Sequence, residues 1–149
     1  MRIVLLAALT LIGCTNSLDP WERNEFRLAE RKWNAAGIED YRYEMRTSCF
    51  CPPEDHEWAV VEVRNNQVVS ARSLDGTPVT GYSLASRKTV DELFAAVRID
   101  HEWVGDVTFD FDRELGYPLR ISIDGKKNVA DAGVVYEARN LQRVVTATQ

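Results

Sequence analysis

Residues Tyr41 to Phe50 alternate along their whole length, and this constrains the fold more than any other stretch. Tyr41, Tyr43, Met45, Thr47 and Cys49 fall on one side of an extended chain, and Arg42, Glu44, Arg46 and Ser48 on the other. A period of two with one apolar side and one charged side is a half-buried β-strand. Such a strand needs a sheet with one face against a core and one in water, the usual state of antiparallel sheets.

The rest of the chain agrees. Trp58 to Arg64 and Gln67 to Ser73 read as two further strands. Asn65-Asn66 between them tolerates the positive φ of a tight hairpin. Val107 to Asp112 and Leu119 to Asp124 alternate again, joined by the loop Arg113 to Pro118. A last strand spans Gly133 to Arg139 and can reach Val145. Leu74 to Arg87 holds Gly76, Pro78 and Gly81 and reads as a loop.

Two segments carry helix signals. Asp19 is an N-cap, Pro20 suits the first helical position, and Glu22 completes a capping box. Phe26, Ala29, Trp33 and Ala36 then share a face, and Gly37 is a C-terminal stop. Thr89 and Glu92 form a second capping box, ahead of the stripe Val90, Leu93, Phe94 and Val97. The order is α-β-β-β-α-β-β-β. Short connections favour antiparallel pairing. The expected fold is α+β: a two-layer sandwich, an antiparallel sheet of about six strands with two helices on one face.

The first residues carry a different message. Arg2 precedes an apolar run, Ile3 to Ile12, too short to span a bilayer, which needs about 20 apolar residues. It fits the core of a secretory signal. The run ends Leu11-Ile12-Gly13-Cys14, which resembles the bacterial lipobox. That resemblance implies cleavage before Cys14, a thioether-linked diacylglycerol on its sulfur and acylation of its amine. Thr15 in place of an acidic residue then implies the outer membrane, periplasmic face. The expected organisation is a signal peptide over 1–13, a lipidated tether over 14–18 and one domain over 19–149. Cys14 is the lipidation site and the membrane a partner through it.

Removing residues 1–13 leaves 17 basic and 23 acidic residues, a net charge of −6. Nucleic acid is excluded as a partner, because phosphate contacts need clustered cations. The same balance disfavours electrostatic adhesion to anionic lipid. With Cys14 assigned to lipid, Cys49 and Cys51 remain. An even remainder in an oxidising compartment favours a disulfide. Residues two apart in a strand lie about 6.6 Å apart, at the edge of disulfide range, so a bulge or turn helps. A local staple, a redox pair, and free or metal-bound thiols all remain open.

Several segments share a further likeness: Tyr41-Arg42-Tyr43, Ser48-Cys49-Phe50-Cys51-Pro52-Pro53, Thr89-Val90-Asp91-Glu92-Leu93-Phe94, and Phe111-Asp112 with Leu115-Gly116-Tyr117-Pro118. Together they resemble an uncharacterised bacterial family known as domain of unknown function 6174. The resemblance implies a small secreted or lipidated α+β domain and no particular activity.

No catalytic constellation stands out. Asp106, Asp110, Asp112 and Glu114 lack the offsets and central glycine of a calcium loop, and a solvated strand face accounts for them. His56 and His101 each sit beside a glutamate without a nucleophile and read as surface residues. Tyr117-Pro118 reads as a hairpin shape. No phosphate loop, serine elbow or zinc-protease helix occurs. The expectation is a non-enzymatic envelope lipoprotein, without metal or cofactor, that contacts another envelope protein. The alternatives are thiol–disulfide exchange at Cys49 and Cys51, or a small-ligand site if Trp58, Tyr41 and Tyr43 line a pocket.

Overall fold

The computed structural model describes residues 18–98, 104–125 and 133–144. Helix α1 spans Pro20–Ala36, followed by β1 (Tyr41–Ser48), the one-turn α2 (Pro53–His56), β2 (Ala59–Arg64) and β3 (Gln67–Ser73). Then come β4 (Pro78–Val79), the short α3 (Gly81–Ala85), α4 (Val90–Val97), β5 (Val104–Phe111), β6 (Pro118–Gly125) and β7 (Val134–Arg143). The described strands form one antiparallel sheet in the order β4-β3-β2-β1-β7-β6-β5. The fold is α+β.

Local signals account for the long elements. Asp19 accepts a hydrogen bond from the Glu22 N–H, and Glu22 accepts one from the Asp19 N–H. Gly37 ends α1 in the left-handed conformation, φ 57°. Thr89 and Glu92 make the same reciprocal cap on α4. Asn65 and Asn66 both take positive φ in the β2–β3 hairpin.

Several expectations need correction. The sheet has seven strands, not about six, and four helices occur among the described residues. The two extra helices and the extra strand are short: α2 lies at the tip beyond β1, and β4 and α3 lie in the segment read as a loop from Leu74 to Arg87. That segment pairs because Ala71 and Arg72 of β3 sit opposite Val79 and Pro78, a contact with no periodic signature over two residues. Strand β1 stops at Ser48, before Cys49 and Phe50, because the chain bends into the tight cysteine ring and two prolines. Trp58 precedes β2, and Gly133 precedes β7.

The core lies on the Tyr41 side of the sheet. Tyr41, Tyr43 and Met45 of β1, Val61 and Val63 of β2, and Ile121 of β6 are almost fully buried. Phe26, Ala29 and Trp33 of α1 and Val90, Leu93, Phe94 and Val97 of α4 join the same cluster. Phe26 meets the Phe94 ring edge-on at 5.6 Å, and Trp33 meets Tyr41 at 5.4 Å. Each such side chain contributes about 1.5–3 kcal/mol on burial.

The Gly116 turn closes this core at the other end. Gly116 has φ 80°, and a Cβ there would sit 2.3 Å from the Ala29 carbonyl oxygen. Only glycine lets the β5–β6 turn approach α1 so closely. Tyr117 and Pro118 behind it are buried, so this motif shapes a turn, as its sequence implied.

Candidate functional site

Two regions outside the core carry chemistry. The first is the loop between β1 and β2. Cys49 and Cys51 are brought to bonding distance, with Cα atoms 5.2 Å apart. This is shorter than a straight strand allows, because β1 has already ended. The ring pushes Phe50 outward, where it is 88% exposed. His56 folds back, its Nε2 3.1 Å from the Cys49 carbonyl oxygen.

Under this loop lies an ion pair that no short-range pattern announces. The Arg87 guanidinium is completely buried, 3.8 Å from an Asp55 carboxylate oxygen that is also enclosed. Arg87 donates to the carbonyl oxygens of Met45 and Glu54. Asp55 accepts from the Ser86 hydroxyl. Burial lowers the Arg87 pKa from its ordinary value, and the nearby Asp55 charge opposes that shift. Strand, loop and the turn after α3 are thus fastened at one point.

A cleft of about 450 Å³ opens beside this fastening. Pro52, Glu54, Glu57, Trp58, Pro78 and Tyr82 are among the residues that line it. Tyr41 and Tyr43 take no part in it. They are buried in the core and fasten α4 instead: the Tyr41 hydroxyl accepts from the Val90 N–H at 2.8 Å, and the Tyr43 hydroxyl donates to the Lys88 carbonyl. Burial raises the pKa of both phenols.

The second region is the charged face of the sheet. Glu137 of β7 bridges Arg46 at 2.6 Å and Arg120 at 3.1 Å. Glu44 of β1 accepts from Arg139 and Asn140. Glu62 of β2 holds Arg42 and Arg64. The Trp58 ring underlies Arg139 at 3.9 Å and Arg46 at 4.9 Å. These hydrogen bonds hold the carboxyls of Glu44, Glu62 and Glu137 below their ordinary pKa.

The remaining sequence candidates are dispersed. Cys14 and His101 lie outside the described residues. Asp112 accepts the N–H groups of Glu114 and Leu115 and so closes the β5–β6 turn. Among the described residues no three histidine, cysteine or carboxylate side chains gather as a metal site. The Asp55–Arg87 pair and the cleft wall at Tyr82 were invisible to sequence reasoning. Their helices are a single turn or little more, and periodicity says nothing of which such segments meet.

Together these features define a small α+β domain with one greasy and one ionic sheet face, and a disulfide-closed loop beside a cleft. The chain belongs to the family of unknown function DUF6174, whose model matches residues 25–143. No curated protein and no solved structure matches it.

Proposed function

We propose that the chain is a bacterial envelope lipoprotein, anchored through acyl groups on Cys14 at the periplasmic face of the outer membrane. Its domain is a non-enzymatic module that binds another envelope protein. The observation that carries this reading is the apolar run ending Leu11-Ile12-Gly13-Cys14, five residues ahead of the capped start of α1. The Cys49–Cys51 bridge supports it, since disulfides persist in oxidising compartments.

In this reading the domain is a two-layer sandwich with α1 and α4 on one face. The other face and the Trp58–Tyr82 cleft are left for contacts. Aromatic and arginine side chains such as Trp58, Arg46, Arg139 and the exposed Phe50 are the residue types that dominate protein interfaces.

Metabolic labelling with a palmitate analogue tests the anchor. Label is expected on the natural chain and absent from Cys14→Ala; an unlabelled natural chain overturns it. Crosslinking in cells followed by mass spectrometry tests the partner, with one recurrent envelope protein expected and none overturning the interaction reading.

Two other readings have an observation behind them. The bridged cysteines are only half-buried, which favours thiol–disulfide exchange; Cys51→Ala then traps a mixed disulfide through Cys49. The cleft favours a small ligand; a bound molecule would shift the fluorescence of Trp58.

A further inference from the structure

The outer face of α1 differs from the rest of the protein. Arg23, Arg27, Arg31 and Lys32 are all exposed on it. Of its three acids, Glu22 is spent on the cap and Glu30 pairs with Arg98, so Glu25 alone opposes them. Among the described residues none of the four cations has an ion-pair partner. The helix carries four basic and three acidic residues, against 14 basic and 20 acidic in the remaining chain. The helix thus carries a net charge of +1 on an acidic molecule, and the fold leaves its four cations exposed.

The same face carries exposed apolar groups. Trp21 is 73% and Leu28 46% exposed. Seven residues apart, they fall within about 20° of each other on the helix surface. On that wheel Arg31 lies about 60° and Arg27 about 100° from Leu28 on one side, and Lys32 with Glu25 within about 40° of Trp21 on the other. Trp21, Leu28 and Lys32 also line a shallow groove of about 340 Å³ with Glu25, Phe111, Asp112 and Arg113, where Lys32 donates to the Arg113 carbonyl oxygen. Tryptophan with leucine, bordered by long cations, is the composition of a surface that rests in a bilayer interface.

Position supplies the occupant. Only five peptide links separate Cys14 from Asp19, a leash of at most about 18 Å. On the lipoprotein reading, which this inference rests on, the leash starts at the headgroup boundary and ends at the first turn of α1. Trp21 stands in that turn. The basic face is thus held within reach of lipid headgroups at very high local concentration.

We infer that α1 lies on the membrane through Trp21, Leu28, Arg27, Arg31 and Lys32, and that its occupant is an anionic phospholipid surface. This orients the domain: α1 faces the lipid, and the charged sheet face and the cleft are set to meet partners. The net charge of the chain concealed this, because it averages a cationic helix with an acidic remainder.

The full chain, made in a bacterium with its own N-terminus and 5-fluorotryptophan, is placed in nanodiscs carrying a headgroup nitroxide. Loss of one resonance in Trp21→Phe assigns Trp21. The expected result is relaxation of Trp21 several-fold above that of Trp33 and Trp58. Replacing phosphatidylglycerol with phosphatidylcholine, or introducing Arg27→Glu with Arg31→Glu, lowers docking by about tenfold or more. Each cation at an anionic surface contributes about fivefold.

Trp21 relaxed only by an aqueous agent overturns the inference. So does Trp21 shielded from both agents, which means that protein covers this face. Insensitivity to anionic lipid and to the arginine reversals also overturns it. Acyl mass on Cys14 is read on the same sample. Acylated Cys14 with a solvent-facing Trp21 sinks the inference alone, and unacylated Cys14 with a lipid-facing Trp21 sinks only the lipoprotein reading.

Discussion

Arg87 and Asp55 face each other at 3.8 Å with both side chains enclosed. A buried pair is weak evidence for stability by itself, but breaking it is costly. Asp55→Ala leaves the guanidinium with only the Met45 and Glu54 carbonyls. It is expected to destabilise the domain by about 3–5 kcal/mol in chemical denaturation. The double variant Asp55→Ala with Arg87→Met should recover most of that loss. Equal destabilisation in both variants would show that the pair is not the reason for the cost.

Gly116→Ala tests the close approach of the β5–β6 turn to α1. The new Cβ meets the Ala29 backbone oxygen at 2.3 Å, and the residue must still hold φ 80°. Backbone cannot yield as a flexible side chain does. A loss of about 2–4 kcal/mol is expected, from strain in the left-handed region together with the clash. Gly76→Ala shares the positive φ but meets nothing within 4 Å, so its smaller loss isolates the contact.

Acid should weaken the domain through its ionic face. The Glu137 carboxyl is held low chiefly by the hydrogen bond from Arg46, that of Glu62 by Arg64, and that of Glu44 by Asn140 and then Arg139. The folded state therefore binds these protons less readily than the unfolded chain. The stability they contribute is complete above the unfolded glutamate value of about 4.3 and is lost as pH falls through the lowered folded values. The urea midpoint should be level from neutral pH down to about 5 and drop below about 4. Glu137→Gln should flatten part of that drop; an unchanged profile would mean that the Glu137 pairs contribute nothing.

Removing the Cys49–Cys51 bridge should cost little global stability. The closed loop is so short that chain entropy assigns it about 1.5 kcal/mol. Cys49→Ser with Cys51→Ser is expected to fold, with faster amide exchange at Phe50 and around His56. Complete unfolding of that variant would show that the bridge organises far more than its loop.

Sequence legibility followed range. Both capping boxes, the Gly37 stop, the Asn65-Asn66 hairpin and the Tyr41 alternation arise from neighbours within four residues, and all could be read directly. The two short helices and β4 were missed because one turn or one pair of residues has no period to detect. Of the candidate site, the two neighbouring cysteines were visible in the sequence, which left their pairing open. The support beneath them was not visible, since the Asp55–Arg87 pair joins a one-turn helix to the turn after α3.

By itself the sequence determined which residues turn inward and where the long helices begin, because these choices follow from local backbone geometry and the avoidance of water by apolar side chains. It also determined the family. Only the tertiary structure decided that β7 enters beside β1 and sets Arg46 against Glu137, 91 residues away. The four cations of α1 stand in the sequence, but only the fold decided that no other described element covers them. Composition sums charge over the whole molecule, whereas an interacting surface responds to the few charges within a Debye length, about 8–10 Å at physiological salt.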